Sequence, residues 1–202
     1  MTLDALRPLA ERFLEPFVTL SKRLGLTPDA VSLLALLAAV GGGVGFYLAG
    51  QEPILYLIGA FFVFLNGLLD LLDGALAREL DTASPAGDLL DHVLDRYADL
   101  ILIAGLAGGV GEYALGFAAV TGVLMTSYLG TQAEAVGLDR VYGGLLGRAD
   151  RLMLTGVVGV VAALYTARIS GFTVVGWLLV IFAVVGHMTA LQRFYYAMKD
   201  LD

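Results

Sequence analysis

Six apolar segments, each long enough to cross a hydrocarbon core, follow one another between residues 29 and 198. They run over 29–50, 53–80, 86–109, 112–137, 149–167 and 172–198, and a spanning helix needs about 20 residues. Backbone groups inside a bilayer must satisfy their hydrogen bonds within the protein, so a series of such segments leaves little but a helical bundle. The breaks carry Gly50-Gln51-Glu52-Pro53, Thr82-Ala83-Ser84-Pro85, Gly111-Glu112 and a polar run over 138–151. With 58% apolar residues and a mean hydropathy of +0.83, the chain does not read as a soluble domain. The expected fold is all-α: a polytopic membrane protein of six transmembrane helices in a single domain over 1–202, with no internal repeat.

Ahead of the spans, Leu3, Leu6, Ala10, Phe13, Phe17, Leu20 and Leu24 recur at spacings of three and four, with Arg7, Glu11, Arg12 and Glu15 between them. That periodicity predicts an amphipathic helix over 1–24 lying in the membrane interface. Leu26-Thr27-Pro28-Asp29 breaks it, and Thr27 with Pro28 suits the start of the next helix. The six-helix bundle then occupies 29–198.

Cations set the orientation. With a cytoplasmic N-terminus, Arg7, Arg12, Lys22, Arg23, Arg78, Arg140, Arg148, Arg151, Arg193 and Lys199 all fall inside, and Arg168 falls outside. Arg96 sits in the third span near its cytoplasmic end. A multi-pass cell-membrane protein with both termini inside follows. At a net charge of −7, no nucleic-acid partner is expected.

Against this apolar background, the second and third spans place four aspartates at helical spacing: Asp70 and Asp73 on one, Asp91 and Asp95 on the other. A carboxylate at membrane depth costs on the order of 3 kcal/mol, so converging carboxylates need neutralising partners. The chain has no cysteine and two histidines, which excludes thiolate and His-rich metal sites. Two divalent ions, Mg²⁺ or Mn²⁺, fit an all-oxygen ligand set. The second segment, about 42 Å long as one helix, exceeds a core of about 30 Å, so the carboxylates meet near the cytoplasmic face. Intramembrane carboxylates also mark ion pathways, the alternative reading from another functional class.

The full pattern, Asp70-x2-Asp73-Gly74-x2-Ala77-Arg78-x8-Gly87-x3-Asp91-x3-Asp95, resembles the signature of the CDP-alcohol phosphotransferases at all eight defined positions. The resemblance implies transfer of a phospho-lipid group from a CDP-linked lipid, CDP-archaeol or CDP-diacylglycerol, to the hydroxyl of a small polar alcohol, releasing CMP. It implies that Asp70, Asp73, Asp91 and Asp95 are metal ligands and that Asp95 is also the catalytic base. Asp29, Ser32, Gly74, Ala77, Arg78 and Ser84 are the implied CDP-lipid contacts, with Thr82 the alternative to Ser84. Gly87 is expected to let the second and third spans pack closely. Asn66, one turn before Asp70, either orients it or makes a helix–helix hydrogen bond. The family also implies a homodimer. Gly105, Gly108, Gly109 and Gly116 would permit close packing, between subunits or within one.

Ser127-Tyr128-Leu129-Gly130-Thr131-Gln132-Ala133-Glu134 and Gly147-Arg148-Ala149-Asp150-Arg151-Leu152 resemble the corresponding regions of phosphatidylinositol-phosphate and archaetidylinositol-phosphate synthases. By that resemblance Arg148 and Arg151 bind the acceptor, with inositol 1-phosphate the first choice. Those synthases carry basic residues where Gly130 and Gln132 stand here. Glycerol phosphate, serine and free inositol are therefore the alternative acceptors.

Overall fold

The computed structural model describes residues 7–138 and 146–201, with side chains from Phe13 onward. Seven helices form among the described residues: α1 (Arg7–Arg23), α2 (Pro28–Leu48), α3 (Leu55–Glu79), α4 (Pro85–Val110), α5 (Tyr113–Ala135), α6 (Arg148–Leu164) and α7 (Val174–Leu201). Their ends follow local chemistry. The Thr27 hydroxyl accepts from the Ala30 N–H ahead of Pro28, and the Ser84 hydroxyl accepts from the Gly87 N–H ahead of Pro85. Gly111, at φ +75°, closes α4 in the left-handed conformation that a glycine adopts without strain. Leu3, Leu6 and Arg140 lie outside the described residues.

Four of these helices, α2, α3, α5 and α7, are long and apolar enough to cross a membrane. The other two candidate spans differ for identifiable reasons. α4 carries Asp88, Asp91, Asp95, Arg96 and Asp99, and α6 is only 17 residues long.

The bundle is organised around α2, which packs against both α3 and α4 while those two have hardly any direct contact with each other. Small residues make this possible. A Cβ on Gly105 would lie 2.2 Å from the Gly43 carbonyl oxygen, so α2 and α4 touch backbone to backbone. Gly109 faces the Phe46 carbonyl oxygen at 2.2 Å by the same measure, Gly108 the Tyr47 ring and Gly116 the Ala107 Cβ. The four glycines that could have served a dimer are thus taken up by packing within the chain. α5 pairs with α7, and α6 leans on α3 and α7.

α1 lies along α3. Buried Leu14 joins Val31, Leu72 and Leu76 in a small apolar cluster, with Val18 packed beside it. Phe13, Phe17, Leu20 and Leu24 face outward. The helix is therefore apolar on two sides, one packed on protein and one open to its surroundings, which suits a helix at the bilayer interface. Lys22 Nζ lies 2.7 Å from Glu79 Oε1 and ties the end of α1 to the end of α3.

Candidate active site

Because α2 separates α3 from α4, the faces bearing the motif aspartates look at each other across a gap at the ends where α2, α4 and α6 begin. Asp70 from α3 and Asp91 and Asp95 from α4 each offer a carboxylate oxygen, and these oxygens lie within 4.8 Å of one another. Helical spacing of four puts Asp91 and Asp95 on one stripe of α4, and Asp70 answers from the facing helix. Three hard oxygen donors so close together suit Mg²⁺ or Mn²⁺, and their mutual repulsion in a poorly solvated site favours such an ion.

Asp73 stands beside this triad. Its side chain is buried, and Ser32 Oγ donates to its Oδ2 at 2.6 Å. All four aspartates, with Ser32, Asn66 and Arg148, line one small cavity. Ser32, expected among the lipid-donor contacts, is thus occupied in holding Asp73. Asn66 Nδ2 donates to the Ala35 carbonyl of α2 at 2.9 Å, so of its two expected roles the helix–helix hydrogen bond is formed.

Arginines surround the triad. Arg148, at the first turn of α6, reaches Asp70 Oδ1 at 2.5 Å and Asp95 Oδ1 at 2.7 Å. Arg96 lies 3.4 Å from Asp95 Oδ2 and also donates to the Ser127 hydroxyl of α5. Arg151 is paired with Asp99 at 2.7 Å, both side chains buried. By sequence, Arg193 counts only as a charge that sets topology, and Arg96 only as an arginine within the third span near its cytoplasmic end. Both line the same groove as Asp70, Asp95 and Arg148, and Arg193 Nη1 donates to the Thr126 carbonyl at 2.6 Å. The signal for Arg96 was present: an arginine inside an apolar span, directly after a motif aspartate, is costly unless it serves the site.

That groove has a volume of about 1710 Å³. Its polar end holds the triad and the arginines. Its apolar walls come from Leu57, Phe61 and Phe64 of α3 and from Met153, Val157 and Val160 of α6.

On the other side of the carboxylates, the remaining motif residues form a cradle low in side-chain bulk. A Cβ on Gly74 would find only Arg78 Nη1, at 3.5 Å. Ala77 is half-buried beside it, and Arg78 is exposed. Gly87 is not a helix-crossing glycine: a Cβ there would meet Ser84 Oγ at 3.4 Å and Asp29 Oδ1 at 3.7 Å, and no atom of α3. This corrects the expectation of close packing between the second and third spans, and the physical reason is that α2 holds α3 and α4 apart. Gly87 instead joins Asp29 and Ser84 on one polar ledge, where Ser84 also caps α4 and Thr82 stays exposed.

Comparisons with known proteins agree on one family. The family model described as CDP-alcohol phosphatidyltransferase matches residues 25–185. The archaetidylinositol phosphate synthase of Pyrococcus horikoshii is 31% identical over 203 residues, covering 99% of this chain and 98% of the relative. The phosphatidylinositol phosphate synthase of Streptomyces avermitilis is 31% identical over 195 residues, covering 93% and 78%. Among solved structures, the phosphatidylinositol phosphate synthase of Mycobacterium tuberculosis in complex with manganese and citrate superposes with a TM-score of 0.79 at 27% identity, covering 92% of this chain and 88% of that one. The same enzyme with CDP-DAG bound gives a TM-score of 0.76 at 28% identity, covering 92% and 94%.

Proposed function

From the premise that the chain belongs to the CDP-alcohol phosphatidyltransferase family, we propose that it moves a phospho-lipid group from a CDP-linked lipid to inositol 1-phosphate, releasing CMP. The observation that carries the reading is the convergence of Asp70, Asp91 and Asp95 at the head of an apolar groove, with Arg148 bridging Asp70 and Asp95.

The residues divide the work by position. Two divalent ions bound by Asp70, Asp91 and Asp95, with Asp73 at their margin, would neutralise the diphosphate and make its phosphorus more open to attack. Ser32 fixes the Asp73 carboxylate by a hydrogen bond and so sets one edge of that ligand set. The CMP side of the donor lies on the ledge of Asp29, Ser84 and Gly87. Gly74 and Ala77 leave room for it, and exposed Arg78 grips phosphate with its planar fork. Asp95 takes the proton from the acceptor hydroxyl. As the new bond forms from that oxygen to the lipid-side phosphorus, the bond from the phosphorus to the bridging oxygen breaks, and CMP leaves. The apolar groove takes the lipid chains, and both CDP-archaeol and CDP-diacylglycerol fit its Leu, Phe and Val walls.

Arg148 is the acceptor-side cation, because it meets the carboxylate pair from the groove. Arg96 and Arg193 add positive charge where Gly130 and Gln132 supply none, which favours a phosphorylated acceptor. The two inositol phosphate synthases similar to this chain favour the same acceptor. In the membrane we take α4 and α6 as the two further spans, giving six, with the site on the cytoplasmic side and the cations of the chain clustered there. A homodimer on this reading uses surfaces other than the glycines spent on internal packing.

A panel of acceptors with one CDP-lipid, read as CMP release, tests the assignment. Inositol 1-phosphate is expected to react best. Reaction with serine or free inositol and with no phosphorylated alcohol would overturn it.

A further inference from the structure

We propose that Asn66 is a positioning residue of the metal centre: its Oδ1 accepts a hydrogen bond from a water on the divalent ion that Asp70 helps to bind, while its Nδ2 fixes the amide to α2. Asn66 is 1% exposed, inside an apolar helix where a polar side chain needs partners. Half of its amide has one. Nδ2 donates to the Ala35 carbonyl at 2.9 Å, whereas Oδ1 is buried with no partner among the described residues. Of the buried side-chain atoms in that condition, it is the single acceptor; the others are the Nε atoms of Arg96, Arg148 and Arg151. A buried acceptor with no donor costs stability, so this one points to a ligand that brings a donor.

The surroundings identify that ligand. Asn66, Asp70 and Asp73 follow at spacings of four and three, so they share one stripe of α3. A helical side chain leans over the turn before it, which carries the Asp70 carboxylate towards Asn66. All three residues line the small cavity. Its protein donors are spent on carboxylates: the Ser32 hydroxyl on Asp73, and both terminal nitrogens of Arg148 on Asp70 and Asp95. Arg148 Nε lacks a partner of its own, so it does not serve Asn66 either. Ionised carboxylates only accept. The cavity measures about 10 Å³, room for about one water. The carboxylates of the triad leave an octahedral Mg²⁺ or Mn²⁺ with open positions, and such ions keep waters there. A water polarised by a dication is a strong donor and needs an acceptor. Asn66 Oδ1 supplies a neutral one, which orients the water without adding a further negative charge to the aspartates. Partners of this outer kind hold a metal site in shape and raise its affinity.

The assignment needs a metal in the triad, so it rests on that part of the proposed function and not on the transfer reaction. Mn²⁺ affinity is read by electron paramagnetic resonance on the purified protein in lipid, without substrate, for the parent, Asn66→Leu, Asn66→Asp and Asp91→Asn. Asn66→Leu keeps the volume and removes both polar atoms. It should weaken Mn²⁺ binding about 10-fold, the lower end for loss of an outer partner of a metal site. Asn66→Asp keeps the oxygen and loses the amide donor to Ala35, and it should bind Mn²⁺ at least as tightly as the parent. Electron–nuclear double resonance of the bound Mn²⁺, compared in H₂O and D₂O, should show exchangeable proton couplings of an ordered water in the parent. Those couplings should broaden or vanish in Asn66→Leu. Where Asn66→Leu fails to fold, Asn66→Val takes its place with the same expectations. A residue that served only the α2–α3 hydrogen bond would behave differently: Asn66→Leu would lower the unfolding temperature in chelator and leave Mn²⁺ affinity and couplings unchanged. That result overturns the proposal, as does Asn66→Asp binding as weakly as Asn66→Leu. Equal Mn²⁺ affinity in the parent and Asp91→Asn would sink the metal site itself, and the role of Asn66 with it.

Discussion

Asp73 carries the same charge as Asp70, Asp91 and Asp95, yet the structure treats it differently, giving it a hydroxyl partner on α2 instead of a place in the triad. The motif spacing made the four aspartates legible because helical geometry alone puts them on two faces. It could not show which three converge, since that depends on how α2 packs between α3 and α4. The arginine partners were less legible still. Arg151 and Asp99 are 52 residues apart, and only tertiary folding pairs them. Asp70→Asn and Asp91→Asn are each expected to abolish turnover and to weaken Mn²⁺ binding measured by electron paramagnetic resonance, because an amide holds a dication poorly. Unaltered Mn²⁺ affinity in either would remove that residue from the metal site. Asp95→Asn should lose turnover while keeping CDP-lipid binding better than Asp70→Asn; equal loss of binding would make Asp95 a ligand and not the base. Ser32→Ala removes one hydrogen bond to a charged group, worth about 1.5–3 kcal/mol, and should cost activity through Asp73 without abolishing it. Parent activity in that variant would mean that Asp73 needs no anchoring.

At the scale of elements, the helix ends followed the sequence signals closely. The spans expected to begin at residues 29 and 86 start at Pro28 and Pro85, each behind a hydroxyl cap, and α4 stops at its left-handed glycine. Hydropathy was a weaker guide for α4 and α6, because the charges that build the site lie in α4 and at the start of α6. The use of the glycines could not be read either, since a small residue permits close approach without naming its partner. The contact between Gly43 and Gly105 now does. Gly105→Ala would drive a methyl group into backbone and should destabilise the protein by about 1–3 kcal/mol or more, seen as a lower unfolding temperature in detergent. Gly67→Ala is the control: its Cβ would meet only Leu152 Cδ1, at 3.6 Å, and it should be tolerated. Equal unfolding temperatures for the two variants would contradict the α2–α4 contact.

Over the whole molecule, α2 holds α3 and α4 apart, and beside that split a charged site and an apolar groove share one opening. A substrate with a diphosphate head and hydrocarbon chains needs both features side by side. An ion pathway needs carboxylates but gains nothing from a large apolar groove or from the small-residue cradle of Gly74 and Ala77. The most direct measurement is CMP release from a CDP-lipid by the purified protein in lipid, with inositol 1-phosphate present or absent, over a Mn²⁺ titration, for the parent and for Asp91→Asn. CMP should form only with acceptor and metal together, should stop on chelation, and should be absent in Asp91→Asn. Metal-dependent ion flux with no CMP formed under any of these conditions would contradict the transfer reaction.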